Sequence, residues 1–464
     1  MKRSASLWFK LGLLGAALVL TGIGCRWPGR EQREALQPKE LVWWGVFNDS
    51  DAVAPLIAEY RKLHPNISIT YRKLRFEEYE RELLNALAED RGPDLFTVHN
   101  TAILEFQPKL LPLPPEVKIA YQVTRGRLRK ETVTEIRTEK TLRLDQLKNM
   151  YVDQVARDAV ASYREDNGTV ADRLYALPLA FDTLALYWNR DLLNAARIPE
   201  PAKTWQEFLE HVKTLTKFDS AGNIIQAGAA IGTAENVERA ADLLSAIMMQ
   251  NGTVMLENGA VLFDQIPPGL ERPEPPGLEA LRFYTDFANP AKEAYTWNNQ
   301  MSSSFDAFTG GTVAYFFGYS YHLPTIRARA PKLNFGVAAL PQVDPAAPVN
   351  FANYWLEGVS QKTKYPDEAW DFLLFASRPP QVSSYLDLAK KPTALRSLVP
   401  VQLDDPELSI FASEVLTAKS WYRGVDGQTA EVAFGQMIQQ VVDGTHSFEE
   451  ALSIAAGTVE QTLR

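Results

Sequence analysis

The stretch LVWWGVFNDSDAVAPLIAEYRKLHPNISITYRKL, residues 41–74, switches hydrophobic period twice. LVWWGVF, Leu41–Phe47, is an apolar run rich in β-forming residues. Asn48-Asp49-Ser50-Asp51 offers helix caps, and Val53, Leu56, Ile57, Tyr60 and Leu63 follow at helical spacing. His64-Pro65-Asn66 stops that helix, after which Ile67, Ile69 and Tyr71 alternate as a strand does. A second helix carries Tyr79, Leu83, Leu84 and Leu87 on one face, and GPDLFTVHN (92–100) opens a third strand at Leu95. Strand, helix, strand, helix, strand is the pattern of an α/β lobe with a mainly parallel sheet. In such sheets ligands bind beyond the carboxyl ends of the strands. Here those ends are Phe47–Ser50 and His99–Thr101.

The chain is 464 residues long with a formal charge of −9. That length exceeds what one core usually organises, so two lobes are expected. An acidic balance lacks the basic face that nucleic-acid binding requires, and no nucleic-acid partner is expected. Ten Trp, seventeen Tyr and twenty-two Phe exceed what a core needs and leave aromatic rings for a cleft. Residues 116–172 stand apart: rich in Lys, Arg and Glu up to Arg143, then helical from Leu144 to Arg164, they read as a solvated elaboration of the first lobe. DQIPPGLERPEPPGL, from Asp264, reads as a surface loop entering a helix at about Pro276.

The N-terminus has the parts of an export signal: Lys2, Arg3 and Lys10, then an uncharged apolar run from Leu11 to Gly24. That run is about 14 residues, short of the roughly 20 a membrane-crossing helix needs. Gly22-Ile23-Gly24-Cys25 resembles a lipobox, although Gly22 stands where the pattern usually has Leu. Cys25 is the only cysteine. Lipidated there, the mature chain would lack residues 1–24 and have no free thiol, with residues 25–39 as tether.

Four segments carry a family resemblance: residues 43–74 with 92–100, then YALPLAFDTLALYWNRDLLNAARIPEPAKTWQEFLEHVKTLT (175–216), FDAFTGGTVAYFFG (305–318) leading to LNFGVAALP (333–341), and YWLEGVSQKTKYPDEAWDFLLFAS (354–377). In order and spacing they resemble the family 1 extracellular solute-binding proteins of ABC importers, which include maltose- and oligosaccharide-binding proteins. The resemblance runs from about Leu41 to the C-terminus and is weakest over 116–172. It implies the two-lobe, type II periplasmic-binding-protein fold, with each lobe a mainly parallel sheet flanked by helices. Lobe one would be 40–181 plus 358–400 and lobe two 182–357 plus 401–464. It also implies a monomer, no cofactor, ABC permease subunits as partners and, with Cys25, a lipid anchor on the outer face of the cytoplasmic membrane. The ligand would be a carbohydrate, probed by aromatic faces and by paired polar groups.

Carried onto this chain, the resemblance assigns ligand contacts to Asn48 and Asp49, which equally read as helix caps, and to Asn100. Asp182 stands at the first crossing, as ligand contact or as hinge residue bonded to backbone. One of Tyr319 and Tyr321 would present an aromatic platform, and Trp421, with Arg423 beside it, a second; the alternative for Trp421 is packing under the terminal helices. Trp297 and Trp355 are further candidates. One of Trp43 and Trp44 would line the cleft, Trp44 being the one taken as a candidate, since alternation sends only one of them to the core.

Other classes find less support. The five histidines at 64, 99, 211, 322 and 446 form no HExxH pair, and no GxSxG elbow appears. No catalytic or metal-binding residue is assigned. Glycoside hydrolysis would need two singled-out carboxylates, which nothing here selects. Peptides, polyamines or metal ions are captured by the same two-lobe device, so a non-sugar solute is the alternative ligand.

Overall fold

The computed structural model describes residues 36–125, 131–165 and 167–463; the signal and Cys25 lie outside them. Strands β1 (Lys39–Gly45), β2 (Ile67–Lys73) and β3 (Leu95–His99) are linked by helices α1 (Ser50–Leu63) and α2 (Phe76–Ala88), and β1 runs parallel to both others. Val53, Leu56 and Tyr60 of α1 and Tyr79, Leu83 and Leu87 of α2 are the buried faces that periodicity marks out.

The 116–172 segment departs from its reading. Its charged part is a ten-pair antiparallel hairpin, β4 (Glu116–Arg125) and β5 (Glu131–Lys140), with Val117 and Ile119 buried in the lobe-one core. Alternation with charged neighbours hid those two contacts. The stretch read as helical to Arg164 holds two short helices, Leu144–Met150 and Asp153–Asp158, and then β6 (Val160–Arg164), paired with β7 (Val170–Leu174).

After β8 (Ala176–Leu177) the chain crosses to lobe two through β9 (Asp182–Thr183). Lobe two is built from β10 (Ala185–Asn189), β11 (Lys217–Phe218), β12 (Ile224–Ala229), helix α3 (Ala240–Gln250), a small hairpin β13 (Leu256–Glu257) and β14 (Ala260–Val261), then β15 (Val313–Gly318) and β16 (Phe335–Ala338). β17 (Asn350–Asn353) returns the chain to β18 (Trp355–Val359) and helix α4 (Pro366–Ala376) of lobe one. β19 (Ala418–Lys419) leads back to helices α5 (Gly427–Val442) and α6 (Phe448–Gln461) of lobe two.

The lobe sheets have the orders β2-β1-β3-β18-β8 and β11-β12-β15-β10-β16. In lobe one β2, β1, β3 and β8 run the same way and β18 opposes them, as the mainly parallel reading expects, whereas the lobe-two sheet is mixed. β18 is antiparallel to β3, and β10 is antiparallel to β15. The reason is directional: a strand arriving from the other lobe enters at the edge where the parallel strands end, and so runs against them. Between the lobes β19, β17 and β9 form a third sheet of crossing segments.

Two separate hydrophobic cores follow. Phe181 belongs to the first and Leu184 to the second; Phe351 belongs to the second and Ala352 to the first; Ala418 belongs to the first and Trp421 to the second. Residues 355–357, read as lobe two, therefore lie in the lobe-one sheet, and Val415 and Ala418 also pack in the first core.

Glu357 of β18 is buried in lobe one and accepts hydrogen bonds from Trp43 Nε1 (2.7 Å), Asn48 Nδ2 (2.9 Å) and Thr97 Oγ1 (2.9 Å). Burial pushes its carboxyl up to about 7, against an ordinary value of 4.5, despite those donors. Between those values the folded chain holds a proton that the unfolded chain has lost, so the contribution is complete below pH 4.5 and is lost as pH rises through 7. Glu357→Gln, neutral at every pH, should remove this slope, which reaches at most about 1.4 kcal/mol per pH unit. Urea unfolding of both proteins at pH 5, 6, 7 and 8 checks it: the difference should shift in the variant's favour as pH rises, and parallel curves would refute the assignment.

Candidate functional site

The carboxyl ends of β3 and β15 adjoin the crossing segments, pairing with Trp355 and Ala185. On the lobe-one edge, Phe47 follows β1, Phe76 opens α2, and Trp355 begins β18 opposite His99, the last residue of β3. Their rings touch: Phe47–Trp355 5.3 Å, Phe47–Phe76 5.6 Å and His99–Trp355 5.0 Å between centroids. Phe47 is nevertheless 47 % exposed and Phe76 57 %. On the lobe-two edge, Tyr321 follows β15 and is 46 % exposed, stacked on Tyr319 (5.8 Å) and tilted against His322 (4.2 Å). Two concavities, of about 360 and 230 Å³, lie elsewhere, the first beneath the β4–β5 hairpin and the second beside β6.

Between these aromatic edges runs a chain of polar groups. Asp242 of α3 accepts Tyr319 Oη (2.6 Å), both arms of Arg239 (2.8 and 2.9 Å) and Asn353 Nδ2 (3.3 Å). Arg239 stands in the left-handed backbone region (φ 58°), a sparse conformation that delivers its guanidinium to Asp242. Because a carboxylate only accepts, the Asn353 amide must turn its nitrogen to Asp242 and its oxygen to His99 Nε2 (3.2 Å). His99 then carries its proton on Nε2, and Nδ1 accepts from Thr101 Oγ1 (2.7 Å). Burial, and next the Arg239 charge, lower His99 to about 4, so the ring is neutral. The chain joins a lobe-one strand end, a crossing strand and a lobe-two helix.

A second cluster is built on Asp158, which accepts from Asn100 Nδ2 (3.1 Å), Tyr354 Oη (2.8 Å) and Gln154 Nε2 (2.6 Å). Burial raises it to about 6. Asp182 is likewise raised to about 6 by burial while accepting Ser320 N (3.1 Å) and Oγ (2.7 Å) from the Tyr321 loop. Lys391, whose Nζ donates to Phe47 O (3.1 Å), faces Asp182, Glu357 and Asp49; burial lowers its pKa. Among the described residues no group of three or more His, Cys, Asp and Glu is arranged to hold a metal ion, and no helix is long and apolar enough to cross a membrane.

The family model for bacterial extracellular solute-binding proteins matches residues 55–407, well over half of the chain. The chain belongs to that family. Its members are extracellular, so this solute-binding protein is exported. Solved structures share its fold. An ABC-transporter solute-binding protein from Thermotoga lettingae, bound with α-D-tagatose, is 20% identical over 92% of this chain and 100% of its own, with a TM-score of 0.64. The cyclic α-maltosyl-1,6-maltose-binding protein of Arthrobacter globiformis is 18% identical over 92% and 99%, with a TM-score of 0.70. The sugar-binding protein MalE of Xanthomonas citri is 17% identical over 91% and 97%, with a TM-score of 0.68.

Against this geometry the residues singled out from the binding protein's sequence divide. Tyr321 and Trp355 stand on the two edges, and Tyr319 lies wholly buried beneath Tyr321. Asp182, at the first crossing, accepts from the Ser320 backbone and side chain. Asn48 is spent inside lobe one, its amide between Glu357 and Tyr385 Oη (2.5 Å); Asp49 is an exposed partner of Lys73 (2.5 Å) that makes no cap bond. Asn100 is buried, donating to Asp158 and accepting from Tyr354 N. Trp44 is mid-strand and nearly buried, with Arg72 over its ring (4.8 Å). Trp297 has no exposed surface and donates to Asn236 Oδ1 (2.9 Å) within the lobe-two core. Arg423 donates to the backbone carbonyls of Arg157 and Val160. Phe47, Phe76, His99, Arg239, Asp242, Asn353 and Lys391 were not singled out. For Phe47 and His99 the signal was present, since both stand at strand carboxyl ends.

Trp421 is corrected as well. It is 7 % exposed, packs on Phe263, Tyr422 and Phe434, and donates to Ser245 Oγ (3.0 Å), all within lobe two. Trp421→Ala should cost about 3–5 kcal/mol of stability, the usual penalty for deleting a buried aromatic ring. Chemical denaturation measures this. An unchanged midpoint with solute binding lost would restore the platform reading.

Proposed function

We propose that this solute-binding protein captures a carbohydrate, in particular an oligosaccharide, between its lobes and delivers it unchanged to an ABC permease. The observation that carries the reading is the set of rings at strand ends beside the crossing, the exposed Phe47, Phe76 and Tyr321 and the partly buried Trp355, with polar groups near them. Sugars present C–H faces to such rings and hydroxyls to such groups. The sugars bound by structurally similar proteins support the same class. A ligand touching both edges favours the closed arrangement through contacts it makes only there.

Isothermal calorimetry against a panel of mono- and oligosaccharides, followed by chromatography of the recovered ligand, tests both binding and the absence of catalysis. One or more sugars should bind and be recovered intact; hydrolysis products appearing in proportion to protein would move the assignment to a glycosidase. Trp355→Ala should weaken the best ligand by about 2 kcal/mol, roughly thirtyfold, with little change in melting temperature because the ring is only partly buried.

We also propose that Cys25 is lipidated and tethers the exported chain as a monomer to the outer face of the cytoplasmic membrane. The basic start, short apolar run and solitary cysteine support this. Labelling cells with a radiolabelled fatty acid should mark the wild type and not Cys25→Ala, and equal incorporation would exclude it.

A further inference from the structure

Residues 116–172 stand apart in the sequence by their charge, and the structure shows what one end of them touches. The helix Asp153–Asp158 and the start of β6 meet the third crossing, where the chain passes from the first core at Ala418 to the second at Trp421. Gln154 Nε2 donates to Ser420 O (3.1 Å). Arg423 donates from Nη2 to Val160 O (2.9 Å) and from Nη1 to Arg157 O.

We propose that Arg423 is a clasp between the lobes and that residues 153–160 of the elaboration are its catch. The base of the clasp is fixed on lobe two by its two preceding residues. Trp421 is packed as described, and Tyr422 is buried with its hydroxyl on Thr462 O (3.1 Å). From that base the guanidinium crosses to carbonyls of lobe one, and among the described residues it has no carboxylate ion-pair partner. Its bonds are charge-assisted and fork onto two acceptors, a geometry that a single ammonium reproduces poorly. It also lines the concavity of about 230 Å³ together with Leu144, Leu147, Arg157 and Asp172, so opening the lobes would withdraw it from a pre-shaped crevice. The catch is tied to the rest of the seam, because Gln154 also donates to Asp158, which holds Asn100 and Tyr354. Arg423 is thus a positioning residue: it touches no solute and sets how readily the lobes part.

The test compares wild type, Arg423→Ala and Arg423→Lys by small-angle scattering without ligand, with stopped-flow dissociation of the best sugar from the calorimetric panel as second readout. The scattering arm needs only the two-lobe fold, whereas the dissociation arm rests on the carbohydrate reading; absence of any sugar ligand would sink that reading and leave the clasp to be judged by scattering. Arg423→Ala should show a larger radius of gyration without ligand, contracting when ligand is added. Its sugar should leave on the order of tenfold faster, the loss expected for a charge-assisted hydrogen bond. Arg423→Lys should fall between the two, and the melting temperature should change little in either. An Arg423→Ala protein with the wild-type radius and dissociation rate would overturn the proposal, as would Arg423→Lys behaving like Arg423→Ala with both proteins melting far below wild type, since that pattern marks a residue needed for folding alone.

Discussion

Asn350 is wholly buried where the crossing strands meet, and its amide acts there as an extra peptide group. Its Oδ1 accepts from Leu184 N (3.1 Å) and Phe351 N (2.6 Å), while Nδ2 donates to Leu184 O (2.8 Å) and to the carboxylate of Glu414. The crossing segments β9 and β19 are only two residues long. So short a ladder cannot pair all its own backbone groups, and a buried unpaired group costs about 1–3 kcal/mol. Side chains fill the gap: Thr183 Oγ1 on Phe411 O (3.2 Å), Asn350 on Leu184, and Asp182 on Ser320. The lobes stay separate bodies because this narrow polar sheet, and no shared apolar core, connects them.

The same need explains why three carboxyls with raised values lie at the seam. Glu414, raised to about 7, braces Asn350; Asp182 and Asp158, each raised to about 6, brace the first and third crossings. Each is buried and hydrogen-bonded, and for each desolvation outweighs the donors. Their seam location follows from composition: apolar side chains make the lobe cores, and only polar ones can satisfy a short ladder of backbone groups.

How much of this was legible in the sequence follows from what periodicity encodes. The β1–α1–β2–α2–β3 order could be read because burial repeats every two or every three to four residues there, as with Ile67, Ile69 and Tyr71 or Leu83 and Leu87. The β4–β5 hairpin was lost because the lysines, arginines and glutamates of residues 116–140 outweigh the alternation of Val117, Ile119 and Tyr121 in any composition window. Site residues were harder. A Trp that packs under helices, such as Trp421 or Trp297, and one that stands on an edge, such as Trp355, are identical in one-letter code. What separates them is the tertiary position of each strand end, which depends on partners hundreds of residues away: Trp355 faces His99 only through the β18–β3 pairing. Arg239 and Asp242 meet Asn353 for the same reason.

The division of labour between apolar lobes and polar seam has a thermodynamic consequence for closure. Parting two apolar surfaces costs free energy in proportion to the area wetted, roughly 25 cal/mol per Å². Parting hydrogen-bonded groups exchanges each partner for water, at a net cost of only about 0.5–1.5 kcal/mol per bond. A seam made of groups such as Asn353, His99, Gln154 and Arg423 can therefore open without a large penalty, whereas one lined by leucines could not. The exposed rings Phe47, Phe76 and Tyr321 are the exception, apolar surface left in water on both edges. They gain most from whatever covers them, so a solute with apolar faces would add to the modest hold that the polar seam already exerts.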